Sequence, residues 1–175
     1  MQSSSYIHLA DADQTSAAGA ALGQALLQIR MDHPFIVHLN GELGAGKTTF
    51  VRGLLHAMGH ADAVRSPTYT LIEPYEFARD AMQLPVLQVI HMDLYRLADA
   101  AQLDELGVRD MLLPDTVLLI EWAARAGTRL PPADLAINLV YPDEHLQGRN
   151  LQWIASSAAA NQLLQHMQPK YSTGP

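Results

Sequence analysis

Apolar and polar positions follow two rhythms along this chain, and the changes of rhythm mark its elements. Residues 14 to 30 form an Ala/Leu-rich run at helical spacing, opened by Asp13-Gln14-Thr15, whose side chains suit a helix start. Pro34 closes that connection. Phe35-Ile36-Val37-His38-Leu39-Asn40 is apolar enough for a strand buried in a parallel sheet. Gly41 to Gly46 is a glycine-rich turn, and Lys47 to Met58 reads as a helix that stops at Gly59.

A loop over 60–67 ends on Ser66-Pro67. Thr68 to Phe77 and Pro85 to Asp93 read as strands around a turn at 78–84. Ala98 to Leu106 predicts a helix ending at Gly107, and a short helix at Val108–Leu113 ends at Pro114. Thr116 to Glu121 is the most apolar strand. Leu135–Tyr141 and Arg149–Ser156 alternate about a polar turn and predict a hairpin; a last helix covers 157–167. Strand, glycine turn and helix, followed by further strands and helices, predict one α/β domain over residues 6–168. Residues 1–5 and 169–175 read as loose termini.

Composition narrows the chemistry. Hydrophobic residues make up 49% of 175, enough for one core, and charged residues only 17%. The net charge of -7 supplies no global field to attract nucleic acid. No cysteine is present, which excludes disulfides, thiolate metal sites and thiol catalysis. The start lacks a signal-peptide pattern, and the longest apolar run, Ala17 to Ile29, is interrupted by Gln24 and Gln28. The expectation is a soluble cytoplasmic protein without a membrane segment.

Gly41-Glu42-Leu43-Gly44-Ala45-Gly46-Lys47-Thr48 fits G-x-x-x-x-G-K-[ST]. The glycines let the backbone wrap an anion, and the helix that follows adds the positive end of its dipole. Lys47 supplies a point charge for the β- and γ-phosphates of ATP, and the Thr48 hydroxyl suits Mg²⁺. The chain has one other lysine, Lys170, in the tail. No lysine therefore remains for an Asn/Thr-Lys-x-Asp element that would read guanine.

A phosphate loop also needs carboxylates to hold Mg²⁺ and orient water. Glu121 and Asp93 each end a predicted strand, where ligands bind in open α/β sheets. Glu121 reads as a metal ligand or as a cap on the next turn; Asp93 as a site acid or as an ion pair with Arg96. Their division of roles stays open. His56 and His60, at i and i+4, read as solvated helix-end histidines.

These motifs together resemble one family. The P-loop with Thr49, Ser66-Pro67-Thr68-Tyr69-Thr70-Leu71, His91-Met92-Asp93-Leu94-Tyr95-Arg96-Leu97 and Glu121-Trp122 are similar, in order, to the motifs of the bacterial tRNA threonylcarbamoyladenosine biosynthesis ATPase family, TsaE. Glu42 stands where the family more often has Asp, and residues 78–85 run longer than its usual turn. The resemblance implies a P-loop NTPase-type sheet of mixed parallel and antiparallel strands. It implies ATP held by Glu42, Leu43, Gly44, Ala45, Gly46, Lys47, Thr48, Thr49 and Asp93, metal at Thr48 and Glu121, and catalysis by Lys47, Asp93 and Glu121. It also implies a role in forming N6-threonylcarbamoyladenosine at position 37 of tRNA. There the ATPase supports a transferase subunit, TsaD, and its inactive paralogue, TsaB, which hold the tRNA. A small-molecule P-loop kinase is the alternative; it should show an acceptor motif, and none stands out.

Two local expectations follow. Ser66 to Leu71 has the position of a switch loop responsive to γ-phosphate, or is a plain lead into a strand. Strand alternation should turn Trp122 away from Glu121, into the core or toward the edge of the nucleotide site.

Overall fold

The computed structural model describes residues 6–142 and 147–167. The proposed termini at 1–5 and 169–175, Gln168, and most of the polar turn of the late hairpin lie outside the described residues. Among the described residues, seven strands form one sheet: β1 (Ile7–Leu9), β2 (Phe35–Asn40), β3 (Ile72–Arg79), β4 (Leu84–Asp93), β5 (Thr116–Glu121), β6 (Leu135–Val140) and β7 (Arg149–Ala155). Their order is β1-β7-β6-β2-β5-β4-β3. The four central strands β6, β2, β5 and β4 are parallel, and β1, β7 and β3 join antiparallel. This is the mixed sheet expected, and the late hairpin is its β6–β7 pair.

Helices α1 (Ala12–Leu27), α2 (Lys47–Ala57) and α4 (Ala158–His166) cover one face. The short α3 (Gln102–Glu105) and two 3-10 turns, Val108–Met111 and Ala123–Ala126, cover the other. Alternation along the strands divides the core accordingly. Val37, Leu119 and Val89 pack with Leu22, Phe50 and Leu54, while Ile36, Leu118 and Ile120 pack with Leu103 and Val108. Every residue of β5 is buried, as its unbroken apolar run requires at the centre of a covered sheet. No helix among the described residues is long and apolar enough to cross a membrane.

Helix α1 begins two residues before its expected start. Asp11 is the N-cap and accepts from Gln14 N at 2.8 Å, and Gln14 Oε1 in turn accepts from Ala10 N at 3.1 Å. The pairing of α1 with α2 runs through glycines. A Cβ on Gly19 would lie 2.0 Å from the Phe50 carbonyl oxygen, and one on Gly53 2.0 Å from that of Ser16. The helices therefore touch backbone to backbone.

Three elements differ from the sequence reading. Strand β3 starts at Ile72, because Pro67 to Leu71 closes into a turn, with Leu71 N on the Pro67 carbonyl at 2.7 Å and Leu71 at φ 64°. Its Pro74 is tolerated because β3 is an edge strand. The strand also runs into the expected turn as far as Arg79, which is buried and bonds Asp115 at 2.6 Å, Ile29 O at 2.6 Å and Pro85 O at 2.7 Å. The helix expected at 98–106 shrinks to Gln102–Glu105, since Asp99 and Gln102 side chains bond the nearby backbone N–H groups of Ala101 and Ala98. Finally, β1 is three residues long, too short to carry a pattern, and is held by its ladder to β7.

Candidate functional site

The site lies at the C-terminal ends of β2, β4 and β5. Residues Gly41 to Gly46 connect β2 to α2, which begins at Lys47. Gly44 and Gly46 have φ of 78° and 103°, so the backbone curls into a concavity of the kind that suits an anion. Gly41 cannot carry a side chain: its Cβ would lie 2.5 Å from the Leu139 carbonyl oxygen. The side chains of Glu42 and Leu43 are exposed, with Leu43 in the wall of the cleft, while Thr48 and Thr49 are half-buried.

Lys47 is buried, and its Nζ donates to the carbonyls of Gly41 at 2.8 Å and Glu42 at 3.1 Å. It also stands 3.9 Å from Glu121 Oε2 and 4.7 Å from the centre of the Trp122 ring. A cleft of about 460 Å³ opens here, with Lys47, Thr48, Ser66, Asp93, Glu121 and Trp122 in its wall.

Period-two alternation explains how the acids arrive. Val89, His91 and Asp93 on β4, and Val117, Leu119 and Glu121 on β5, share the face covered by α1 and α2. Both acids are buried, at 4% and 3% exposure, so each needs partners. Asp93 Oδ2 accepts from Thr68 Oγ1 at 2.9 Å and from Ser66 Oγ, and its Oδ1 accepts from Tyr95 N at 3.0 Å. Glu121 Oε1 pairs with His91 Nε2 at 3.0 Å. The ion pair between Asp93 and Arg96 is not formed; Arg96 stacks on Tyr69 instead, 4.3 Å from the ring centre.

Trp122 departs from its expected direction. The strand ends at Glu121, and Trp122 takes a left-handed conformation at φ 59°. The alternation argument stops with the strand, and the ring swings back over Lys47 instead of away from Glu121. It also packs on Tyr95 at 5.2 Å between ring centres. The indole is half-buried, at the edge of the cleft, and the core alternative is not realised.

The structure brings together Lys47, Thr48, Asp93, Glu121 and the glycine loop. It adds His91, which the sequence offered only as a motif letter. His56 and His60 sit apart, with His60 against Tyr75 at 4.9 Å. Among the described residues, no three His, Cys, Asp or Glu side chains gather to hold a metal by themselves. The oxygens of Thr48, Asp93 and Glu121 are the hard donors that suit Mg²⁺, which binds few protein ligands and completes its shell with water and phosphate oxygens.

A glycine loop between a parallel strand and a helix, with acids ending the two next strands, defines an α/β fold of the P-loop NTPase type. Residues 9–151 match the family model described as threonylcarbamoyl adenosine biosynthesis protein TsaE. The chain belongs to that family. It is 41% identical over 139 residues to the tRNA threonylcarbamoyladenosine biosynthesis protein TsaE of Haemophilus influenzae, covering 79% of this chain and 82% of that one. The TsaE of Treponema pallidum is 33% identical over 128 residues, 73% of this chain and 85% of its own. The crystal structure of Bacillus subtilis YdiB shares the fold, with a TM-score of 0.68 over 94% of both chains at 24% identity.

Proposed function

We propose that this chain is the ATP-hydrolysing component of the machinery that forms N6-threonylcarbamoyladenosine at position 37 of tRNA. It acts in the cytoplasm, on a heterodimer of TsaD and TsaB, and reaches tRNA only through that assembly. Family membership supports the pathway. The observation that carries the ATPase reading is the convergence of Lys47 Nζ and Glu121 Oε2, 3.9 Å apart, at the mouth of a glycine loop.

In this reading the loop N–H groups and Lys47 bind the β- and γ-phosphates. Mg²⁺ would neutralise charge on the phosphate oxygens. Thr48 and Glu121 would hold it, directly or through water. His91 fixes one oxygen of Glu121 and leaves the other facing Lys47. Asp93, gripped by Ser66 and Thr68, is the candidate to orient the attacking water.

Phosphate release, measured with and without TsaD and TsaB, tests the reading. Release should rise on adding the heterodimer and fall on the order of 100-fold in Lys47→Ala, which loses a preorganised positive group. Thr48→Ala should lose Mg²⁺-dependent release. Wild-type rates in both variants would refute the assignment.

A further inference from the structure

The outer side of the glycine loop is bonded to the β6–β7 hairpin. The Tyr141 hydroxyl donates to the Leu43 carbonyl at 3.2 Å. Arg149 donates from Nη2 to the Gly44 carbonyl at 2.9 Å and from Nε to the Ala45 carbonyl at 3.1 Å. The guanidinium also lies 4.1 Å from the centre of the Tyr141 ring. Three consecutive loop carbonyls are thus held by two side chains, one from each strand end beside the hairpin's turn.

Strand register accounts for the reach. Asn40 pairs with Asn138 across the parallel β2–β6 ladder. Leu139 to Tyr141 therefore run level with Gly41 to Leu43, and β7 brings Arg149 back beside them. A trans peptide points its C=O and its N–H in opposite directions. Holding the carbonyls of Leu43 and Ala45 outward turns the N–H groups of Gly44 and Gly46 inward. The N–H between them, on Ala45, closes the loop onto the Glu42 carbonyl at 3.1 Å. The Arg149 cation on the Ala45 carbonyl also polarises that peptide and strengthens the Gly46 N–H donor on the inner side. Arginine suits the task because its rigid planar fork spans two acceptors at once.

We infer that Arg149 and Tyr141 are positioning residues for phosphate, which hold the loop in its N–H-inward form without touching the ligand. The inference rests on the nucleotide reading above. It adds that phosphate affinity is set from the far side of the loop by the hairpin.

Calorimetry on the full chain tests this with Mg·ATP and, separately, with inorganic tripolyphosphate. Arg149→Met should weaken both ligands about tenfold or more, the scale of losing charge-assisted hydrogen bonds. Arg149→Lys should recover only part of the loss. Tyr141→Phe, which deletes one hydroxyl and keeps the ring, should give a smaller loss for both ligands with the ligand-free melting temperature unchanged. If Arg149→Met does not fold, Tyr141→Phe decides. Wild-type affinity in a folded Arg149→Met, or in Tyr141→Phe where that variant decides, overturns the inference while leaving the nucleotide reading intact. A loss for Mg·ATP without a loss for tripolyphosphate also overturns it, since Arg149 would then touch the nucleoside. Absence of binding by the wild-type chain defeats the nucleotide reading itself.

Discussion

Asp93 and Glu121 occupy directly paired positions on the parallel strands β4 and β5, yet their carboxylates answer to different parts of the molecule. Asp93 is tied to the hydroxyls of Ser66 and Thr68, and Glu121 to Lys47 and His91. This separation predicts separate phenotypes. Glu121→Gln should weaken Mg²⁺-dependent nucleotide binding more than Asp93→Asn does. Asp93→Asn should chiefly lower the rate of hydrolysis. Calorimetry with ATP, in the presence and absence of Mg²⁺, together with single-turnover rates, checks the split; equal effects on both quantities would remove it.

The segment from Ser66 to Leu71 leans on a site acid through two hydroxyls and ends in a left-handed Leu71. A ligand that engages Asp93 should therefore change how firmly this segment is held. Amide hydrogen exchange across 66–71 should slow with a non-hydrolysable ATP analogue relative to ADP. Identical exchange in the two states would make the segment a fixed lead into β3.

Trp122 has a left-handed backbone and a ring 4.7 Å from the Lys47 ammonium. It also forms part of the wall of a second, largely apolar cavity of about 540 Å³ beside the cleft. Phosphate that draws the ammonium away should alter the indole's surroundings. In a Trp153→Phe background, the emission of Trp122 should change on adding Mg·ATP. Trp122→Ala should keep most of its thermal stability, because the side chain is only half-buried, and should lose stimulation by the heterodimer. An emission spectrum indifferent to nucleotide would speak against the coupling.

His38 lies in β2, and its Nε2 is buried without a hydrogen-bond partner. Burial lowers its pKa from the ordinary 6.5. Folding thus favours the neutral ring. Its contribution is intact above the unfolded-state value and is lost as pH falls through the folded-state value. His38→Gln should flatten the pH dependence of stability as pH falls below the ordinary histidine value, relative to the wild-type chain, as read by denaturant midpoints. An unchanged slope would assign that dependence to other groups.

The glycine loop and the two strand-end acids were legible in the sequence because their signals are local. A glycine spacing predicts a turn, and an apolar run ending in Glu121 predicts a carboxylate at a strand's C-terminal end. Other features depend on which strands lie side by side. His91 looks like an ordinary interruption of an apolar strand until β5 brings Glu121 to it. Arg149 and Tyr141 look like hairpin ends until β6 lies against β2. Trp122 was misdirected because one positive φ angle ends the alternation, and an L-residue in that region has no sequence signal of its own. The helix at 98–106 failed because Asp99 and Gln102 offer the backbone closer partners than the next turn does.

The bare contact of Gly19 with Phe50, and of Gly53 with Ser16, leaves no cushion of side chains between α1 and α2. Rolling or sliding one helix on the other would press backbone into backbone, so the close approach braces the two as a pair. The Thr15 methyl, in the first turns of α1, would sit 3.4 Å from a Cβ at Gly46, where α2 opens. The first turns of α1 thus lie close beside the start of α2, where the glycine loop ends. Two hydrogen atoms, one on each glycine, set the spacing of that pair, and a methyl group at either position would drive α1 and α2 apart.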